Sequence, residues 1–302
     1  MKEFQNFIKS VGTGPKGNRD LSFEESKRAM QLILSNEIPA DMISAFLIGF
    51  RLKPETIEEY KGGLEALLEK VNSTSIPKSI ELGFPFDGKA KFPYLFPLIA
   101  KELQSKEIQL IITGDDKVPS KDGVTIKELI NQIELPSNIH YFDRQKYLPE
   151  LHRLTTIRNN LGLRTAFNTL EKASLVAQSD FAAFGVFHKP YVAKYTEIFR
   201  SKFKNFLIVQ ANEGSPELIR KGNVWKVGKE KVEEVLIDPS FFGIDISELK
   251  FEENINHLEV CVDLLKDAPI SMRKLAKVNA AMLVWLYSQD LSFENALELV
   301  NL

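Results

Sequence analysis

Two arginines, Arg158 and Arg164, stand on either side of Gly162, with Thr165 and Asn168 just behind them. A guanidinium grips planar carboxylates and phosphates through two parallel hydrogen bonds. Gly162 permits a bend between the two forks, and a hydroxyl and an amide complete a set suited to an anionic ligand. The alternative for Arg164 is a buried ion pair that holds a loop. A second set lies in Leu82-Gly-Phe-Pro-Phe-Asp-Gly-Lys-Ala-Lys91, where Lys89 and Lys91 follow a short apolar run. At a strand end their ammonium groups would bind phosphate oxygens; in a plain loop they would be solvated. Phe84, Phe86, Phe92 and Tyr94 interleave with them. Such rings stack on bases in single-strand binders, although packed core is the commoner fate of phenylalanine. Lys16 and Arg19, near the N-terminus, could extend a basic surface. Lys172 and Lys229 read as exposed lysines outside these sets.

Positioning these groups requires a sizeable scaffold. The chain has 302 residues, of which 44% are apolar, enough for one large domain or two smaller ones. The formal charge is −2 and the sequence pI about 6.2. A dedicated nucleic-acid binder is usually more basic, so such a role would need a local patch. Cys261 is the single cysteine, which rules out an internal disulfide and a multi-cysteine zinc site. His140, His152, His188 and His257 show no metal-ligand spacing. The N-terminus lacks an apolar signal region and no run would span a bilayer. The expected location is cytoplasmic, with no membrane partner.

The elements read as a helical start followed by an α/β body. Ser22-Phe-Glu-Glu25 and Thr56-Ile-Glu-Glu59 have capping-box spacing. Apolar stripes follow them, and another runs through Ala40 to Arg51. These stripes are broad for so small a bundle, which predicts a homodimer through the N-terminal helices. A polar connector at Asn72 to Ser79 divides residues 1–72, a helical subdomain, from residues 73–302. The second part alternates strands (Ile80 to Leu82, Ile108 to Thr113, Phe181 to Phe187, Phe206 to Gln210) with helices (Tyr94 to Gln104, Val124 to Ile133, Lys189 to Ser201). That alternation predicts a mostly parallel central sheet covered on its faces. Val224 to Val227 and Val232 to Ile237 add an antiparallel edge. C-terminal helices at Ile255 to Leu265, Ser271 to Tyr287 and Ser292 to Val300 complete the fold, with room to pack on the helical subdomain.

The Arg158 to Asn168 segment resembles the R-x-x-L-G-x-R-T-x-F-N stretch of the anthranilate phosphoribosyltransferases, glycosyltransferase family 3. Asp20-Leu-Ser-Phe-Glu-Glu25, Glu37-Ile-Pro39, Ala45 to Lys53 and Val278-Asn-Ala-Ala281 resemble the same family in the same order. The resemblance implies the nucleoside phosphorylase/phosphoribosyltransferase-like fold and places Arg158 in an anthranilate site. It also marks departures. The family's G-T-G-G-D donor loop stands here as Gly83 to Asp87, with Gly88, Lys89 and Lys91 beyond, and Pro85 removes a donor N–H. Its K-H-G-N-R loop stands as Thr113-Gly114-Asp115-Asp116-Lys117; the arginine is gone, and two gained carboxylates would repel a pyrophosphate unless a cation intervened. The metal-binding D-E pair falls on Pro216 and Glu217, leaving Glu217 to hold magnesium less firmly than two carboxylates would. The altered donor loop and Gly12-Thr-Gly14-Pro-Lys16-Gly-Asn-Arg19 resemble a second, divergent subfamily, which has dimeric members, no established anthranilate activity and a nucleic-acid-binding member.

Three functions follow as expectations. One is a transferase-like protein of the phosphoribosyl class that binds a phosphorylated or anionic ligand in an interdomain crevice at Gly83, Asp87, Gly88, Lys89, Lys91, Gly114, Lys117, Arg158, Arg164 and Asn168, with degenerate donor and metal motifs that argue against anthranilate transfer. Another is a non-catalytic protein binding single-stranded DNA or RNA on the same scaffold, with Lys16 and Arg19 in contact. The third is a dimeric scaffold.

Overall fold

The computed structural model describes residues 1–253, 255–288 and 290–302. Four helices open the chain: α1 (Lys2–Gly12), α2 (Phe23–Leu34), α3 (Ala40–Leu52) and α4 (Ile57–Leu68). Both expected capping boxes form. Ser22 accepts from the Glu25 N–H and Thr56 from the Glu59 N–H, and each glutamate returns a bond to the cap backbone.

The body is a seven-stranded sheet: β1 (Ser79–Gly83), β2 (Gln109–Gly114), β3 (Ile139–Asp143), β4 (Phe181–Val186), β5 (Asn205–Gln210), β6 (Gly222–Val227) and β7 (Val232–Ile237). The order is β3-β2-β1-β4-β5-β6-β7. The first five strands are parallel; β6 and β7 add antiparallel. The interleaved helices are α5 (Phe96–Leu103), α6 (Ile126–Ile130), α7 (Arg144–Tyr147), α8 (Pro149–His152), α9 (Thr155–Leu161), α10 (Phe167–Leu170) and α11 (Pro190–Phe199); α12 (His257–Lys266), α13 (Ile270–Tyr287) and α14 (Phe293–Leu299) follow.

The two-residue period of the strands splits the core in two. Ile80, Leu82, Phe181, Ala183, Leu207 and Val209 join α5, α12, α13 and α14 on one face. Ala182, Phe184, Phe206 and Ile208 join Phe4, Phe46, Phe50 and Leu64 of the helical subdomain on the other. The stripes of α1 to α4 are buried largely between these helices, α2 on α4 and α1 on α3, with α4 also packing on α10 and α11 and α3 on α9.

Two local differences bear on the site. The Tyr94 to Gln104 expectation shortens to α5, because Pro97 and a capping carboxylate fix its start at Phe96. Strand β3 and helices α7 to α9 were not foreseen. They put Arg144 and Arg158 on short helices under the sheet's carboxyl edge.

Candidate anion-binding site

A cavity of about 1200 Å³ opens between the helical subdomain and the carboxyl ends of the strands. Its floor lies where the chain, having built β2 and β3 on one side of β1, crosses to build β4 and β5 on the other. Loops leaving β1 and β4 diverge there, and open α/β sheets bind ligands at such a switch point. The loop after β1 contributes Asp87, Ala90, Lys91 and Phe92. The β2–α6 loop gives Lys121, and the α9–α10 connection and its sequel give Arg164, Asn168 and Lys172. The end of β4 gives Gly185, beyond it come Phe187, His188, Tyr191 and Lys194, and beyond β5 come Glu213 and Arg220. Arg51, Glu55 and Tyr60 close the far wall from the helical subdomain, and Lys250 stands at the rim.

Eight Lys and Arg side chains face this space against three carboxylates, Glu55, Asp87 and Glu213. Arg164 donates to Asp87 Oδ2 at 2.6 Å, and the Lys121 ammonium lies 3.3 Å from Oδ1. Among the described residues the other six, Arg51, Lys91, Lys172, Lys194, Arg220 and Lys250, have no carboxylate partner. Arg51 is held by the carbonyl of Arg164 and Lys194 by that of Glu55. Lys172 donates to the carbonyls of Gly185 at 2.9 Å and Gly214 at 3.0 Å. Burial lowers Lys172 to about 8, with partial compensation from Asp87. Burial likewise lowers Lys121 to about 8, although Asp87 and Glu213 oppose the fall. Phe187 and Tyr191 present aromatic surface at the mouth, 57% and 44% exposed.

Glu213 organises the floor. Its Oε1 accepts from the N–H groups of Ala90 and Lys91, which ties the β1 loop to the turn after β5. Its φ of 66° is the left-handed backbone that a side-chain-bearing residue seldom adopts. The turn presses so closely on β4 that a Cβ on Gly185 would meet the Ser215 carbonyl oxygen at 2.0 Å.

Of the residues proposed from sequence, Asp87, Lys91, Arg164 and Asn168 reach the cavity wall. Asn168 is partly committed, since its Oδ1 caps the Thr165 N–H and its amide donates to the Pro119 carbonyl. The others need correction. Arg158 is fully buried, with a two-pronged pair to Glu171 at 2.6 and 2.9 Å. Glu171 also accepts from Arg144, which in turn pairs with Asp115. Burial would raise Glu171, but Arg158 and Arg144 outweigh it and hold the carboxyl below its usual range. A guanidinium so occupied has no fork to offer a ligand. Lys89 is buried against Glu217 at 2.7 Å and the Pro93 carbonyl, so it does not meet a phosphate in the cavity.

Glu217 is also spent on structure. Its other oxygen caps α5 through the N–H groups of Leu95 and Phe96, where a helix N-terminus favours negative charge. That leaves Glu217 with no free oxygen for the magnesium role. Gly83 is required by close packing, because a Cβ there would sit 2.5 Å from Phe184 and 2.7 Å from the Lys172 carbonyl. Gly88, Gly114 and Lys117 also lie off the wall, and Lys117 pairs with Asp122 at 2.8 Å. Lys16 and Arg19 lie off it too, with Arg19 paired to Glu25 at 2.6 Å. Lys172, read as exposed, is 7% exposed and faces the cavity.

The two acids gained after β2 are neutralised. Asp115 pairs with Arg144 and, at 2.7 Å, with His152; Asp116 pairs with Lys127 at 2.9 Å. Asp115, Asp116 and His152 could converge on a metal ion. Arg144 and Lys127 already face the two carboxylates, and the group is outside the cavity lining, so it does not fit a metal that would act on a ligand there.

Comparison with known proteins places this architecture in a family. A family model described as the helical bundle domain of a glycosyl transferase family matches residues 5–71, and one described as its a/b domain matches residues 125–301. The chain belongs to that glycosyl transferase family, in its anthranilate phosphoribosyltransferase-like branch. It is 30% identical over 241 residues to an uncharacterised protein of Aquifex aeolicus, covering 78% of this chain and 77% of the relative. It is 26% identical over 244 residues to an anthranilate phosphoribosyltransferase of Caldicellulosiruptor saccharolyticus, covering 75% and 72%. In fold it resembles the anthranilate phosphoribosyltransferase of Thermus thermophilus, with a TM-score of 0.77 at 18% identity over 99% of this chain and 93% of that one. It also resembles that of Saccharomyces cerevisiae in complex with PRPP and Mg, with a TM-score of 0.75 at 15% identity over 99% and 92%.

Proposed function

We propose that the crevice binds a phosphorylated or otherwise anionic ligand and that this chain does not transfer phosphoribose to anthranilate. One observation carries the reading. Six cationic side chains line one cavity without a carboxylate partner among the described residues, in a chain whose formal charge is −2. Concentrating unpaired charge against the overall balance is costly unless an anion joins it. The loss of transfer follows from Arg158 and Glu217. The first is sealed under Glu171 and the second caps α5, so neither serves an acceptor or a metal.

A second ligand class has its own support. Phe187, His188 and Tyr191 offer ring surface at the mouth beside Lys194 and Arg220, the mixture of stacking and charge that takes up single-stranded nucleic acid. Parallel titrations with PRPP, with and without magnesium, and with a labelled single-stranded oligonucleotide separate the two. Oligonucleotide binding with a steep negative salt slope selects nucleic acid; PRPP binding selects the small ligand. Turnover of anthranilate at ordinary enzyme rates would contradict the proposal. Self-association through the N-terminal helices is a companion proposal. Sedimentation at micromolar concentration should give twice the 34.3 kDa chain mass, and a single-chain mass would reject it.

A further inference from the structure

We infer that the Lys121 ammonium holds the place of a divalent cation between Asp87 and Glu213, so that the crevice binds its anion without metal. The inference deepens the anion-binding reading and rests on it. The yeast relative is described with both PRPP and Mg, whereas the carboxylate expected to hold magnesium here, Glu217, is spent on Lys89 and α5. The acids that remain on the cavity wall near the sheet are Asp87 and Glu213. Each is buried, and each keeps one oxygen, Asp87 Oδ1 and Glu213 Oε2, without a hydrogen-bond donor. Two such carboxylates facing one cavity ordinarily require a cation.

Lys121 supplies that charge directly to Asp87 and sits beside Glu213 through the main-chain carbonyl of that residue. Its Nζ donates to the Glu213 main-chain carbonyl at 2.7 Å and stands 3.3 Å from Asp87 Oδ1. Oxygens from two loops therefore converge on one nitrogen, the Glu213 carbonyl through a hydrogen bond and the Asp87 carboxylate through an ion pair. An ammonium has three N–H bonds. One is given to the Glu213 carbonyl, which leaves N–H bonds for a ligand oxygen, and the side chain is 20% exposed and lines the cavity. Arg164 holds the other oxygen of Asp87, so the carboxylate stays oriented. Lowered to about 8 by burial against the pull of Asp87 and Glu213, the amine is mostly charged at neutral pH.

Manganese uptake, read by electron paramagnetic resonance, tests the assignment without any organic ligand. The folded wild-type protein should take up no manganese at the crevice. Lys121→Ala should gain one site, and adding Asp87→Asn should abolish it. Circular dichroism checks that each variant is folded, and Lys121→Arg should behave as wild type. Manganese bound by the wild type and lost in Asp87→Asn would overturn the inference, as would no gain in Lys121→Ala. Inorganic phosphate supplies the second arm, read by phosphorus-31 line broadening. Its affinity for the wild type should change less than about twofold between EDTA and magnesium, and should fall at least about tenfold in Lys121→Ala with EDTA, one charge-assisted contact. A tenfold gain from magnesium in the wild type would overturn the inference. If phosphate fails to bind at all while Lys121→Ala gains manganese, the anion-binding reading falls and the role of Lys121 stands.

Discussion

Single residues here are defined by their partners more than by their type. Arg158 and Arg164 sit in one motif, yet the first is locked under Glu171 and the second shares Asp87 at the cavity. Removing one member of a fully buried pair leaves an uncompensated charge. Arg158→Ala should therefore cost about 3–5 kcal/mol of stability, measured by urea unfolding; an unchanged midpoint would contradict the buried network. Lys121 and Lys172 make a pH prediction. Their folded values of about 8 lie below the ordinary 10.5. Between those limits the unfolded chain binds more protons, so their contribution to stability rises with pH. The same deprotonation strips positive charge from the crevice, so anion affinity should fall from pH 7 to 9. Melting curves and ligand titrations at both pH values check this, with Lys172→Met flattening both trends. Affinity that holds constant through pH 9 would count against these lysines as ligand groups.

At the level of elements, the sequence was legible wherever period and caps agreed. Ser22, Thr56 and the apolar runs of β1, β2, β4 and β5 announced themselves through alternation and capping boxes. Strand β3 did not, because His140 and Tyr141 dilute its apolar run, and α7 to α9 are too short to establish a period. The site was legible in outline only. The β1 loop and the Arg164 segment do meet at the cavity, but which lysine is buried in an ion pair depends on contacts far along the chain. Lys89 finds its partner at Glu217, and Lys172 finds carbonyls at Gly185 and Gly214. Residue type carries no trace of such pairings. Glu217 ties β5's sequel to the start of α5, so Glu217→Ala should both leave Lys89 buried and unpaired and uncap the helix. A loss of about 3–5 kcal/mol is expected for breaking such a pair, with protection lost around Leu95 and Phe96 in hydrogen exchange. An effect below 1 kcal/mol would mean that the pair is not the tie described.

Across the whole molecule, the helical subdomain and the sheet share a core, and the crevice is the seam left beside it. The scaffold of the family is retained while the groups that the resemblance assigned to acceptor and metal have become internal ties. What remains open is a cationic cavity at the strand switch point. The most direct measurement is a paired titration of PRPP and a single-stranded oligonucleotide against wild type, Lys91→Glu/Arg220→Glu and Lys229→Glu at one fixed salt concentration. The account predicts that the ligand that binds the wild type loses at least about tenfold, or roughly 1.4 kcal/mol, with the crevice variant, and that the remote Lys229→Glu leaves affinity unchanged. Binding of neither ligand to the wild type, or equal affinity across all three proteins, would contradict it.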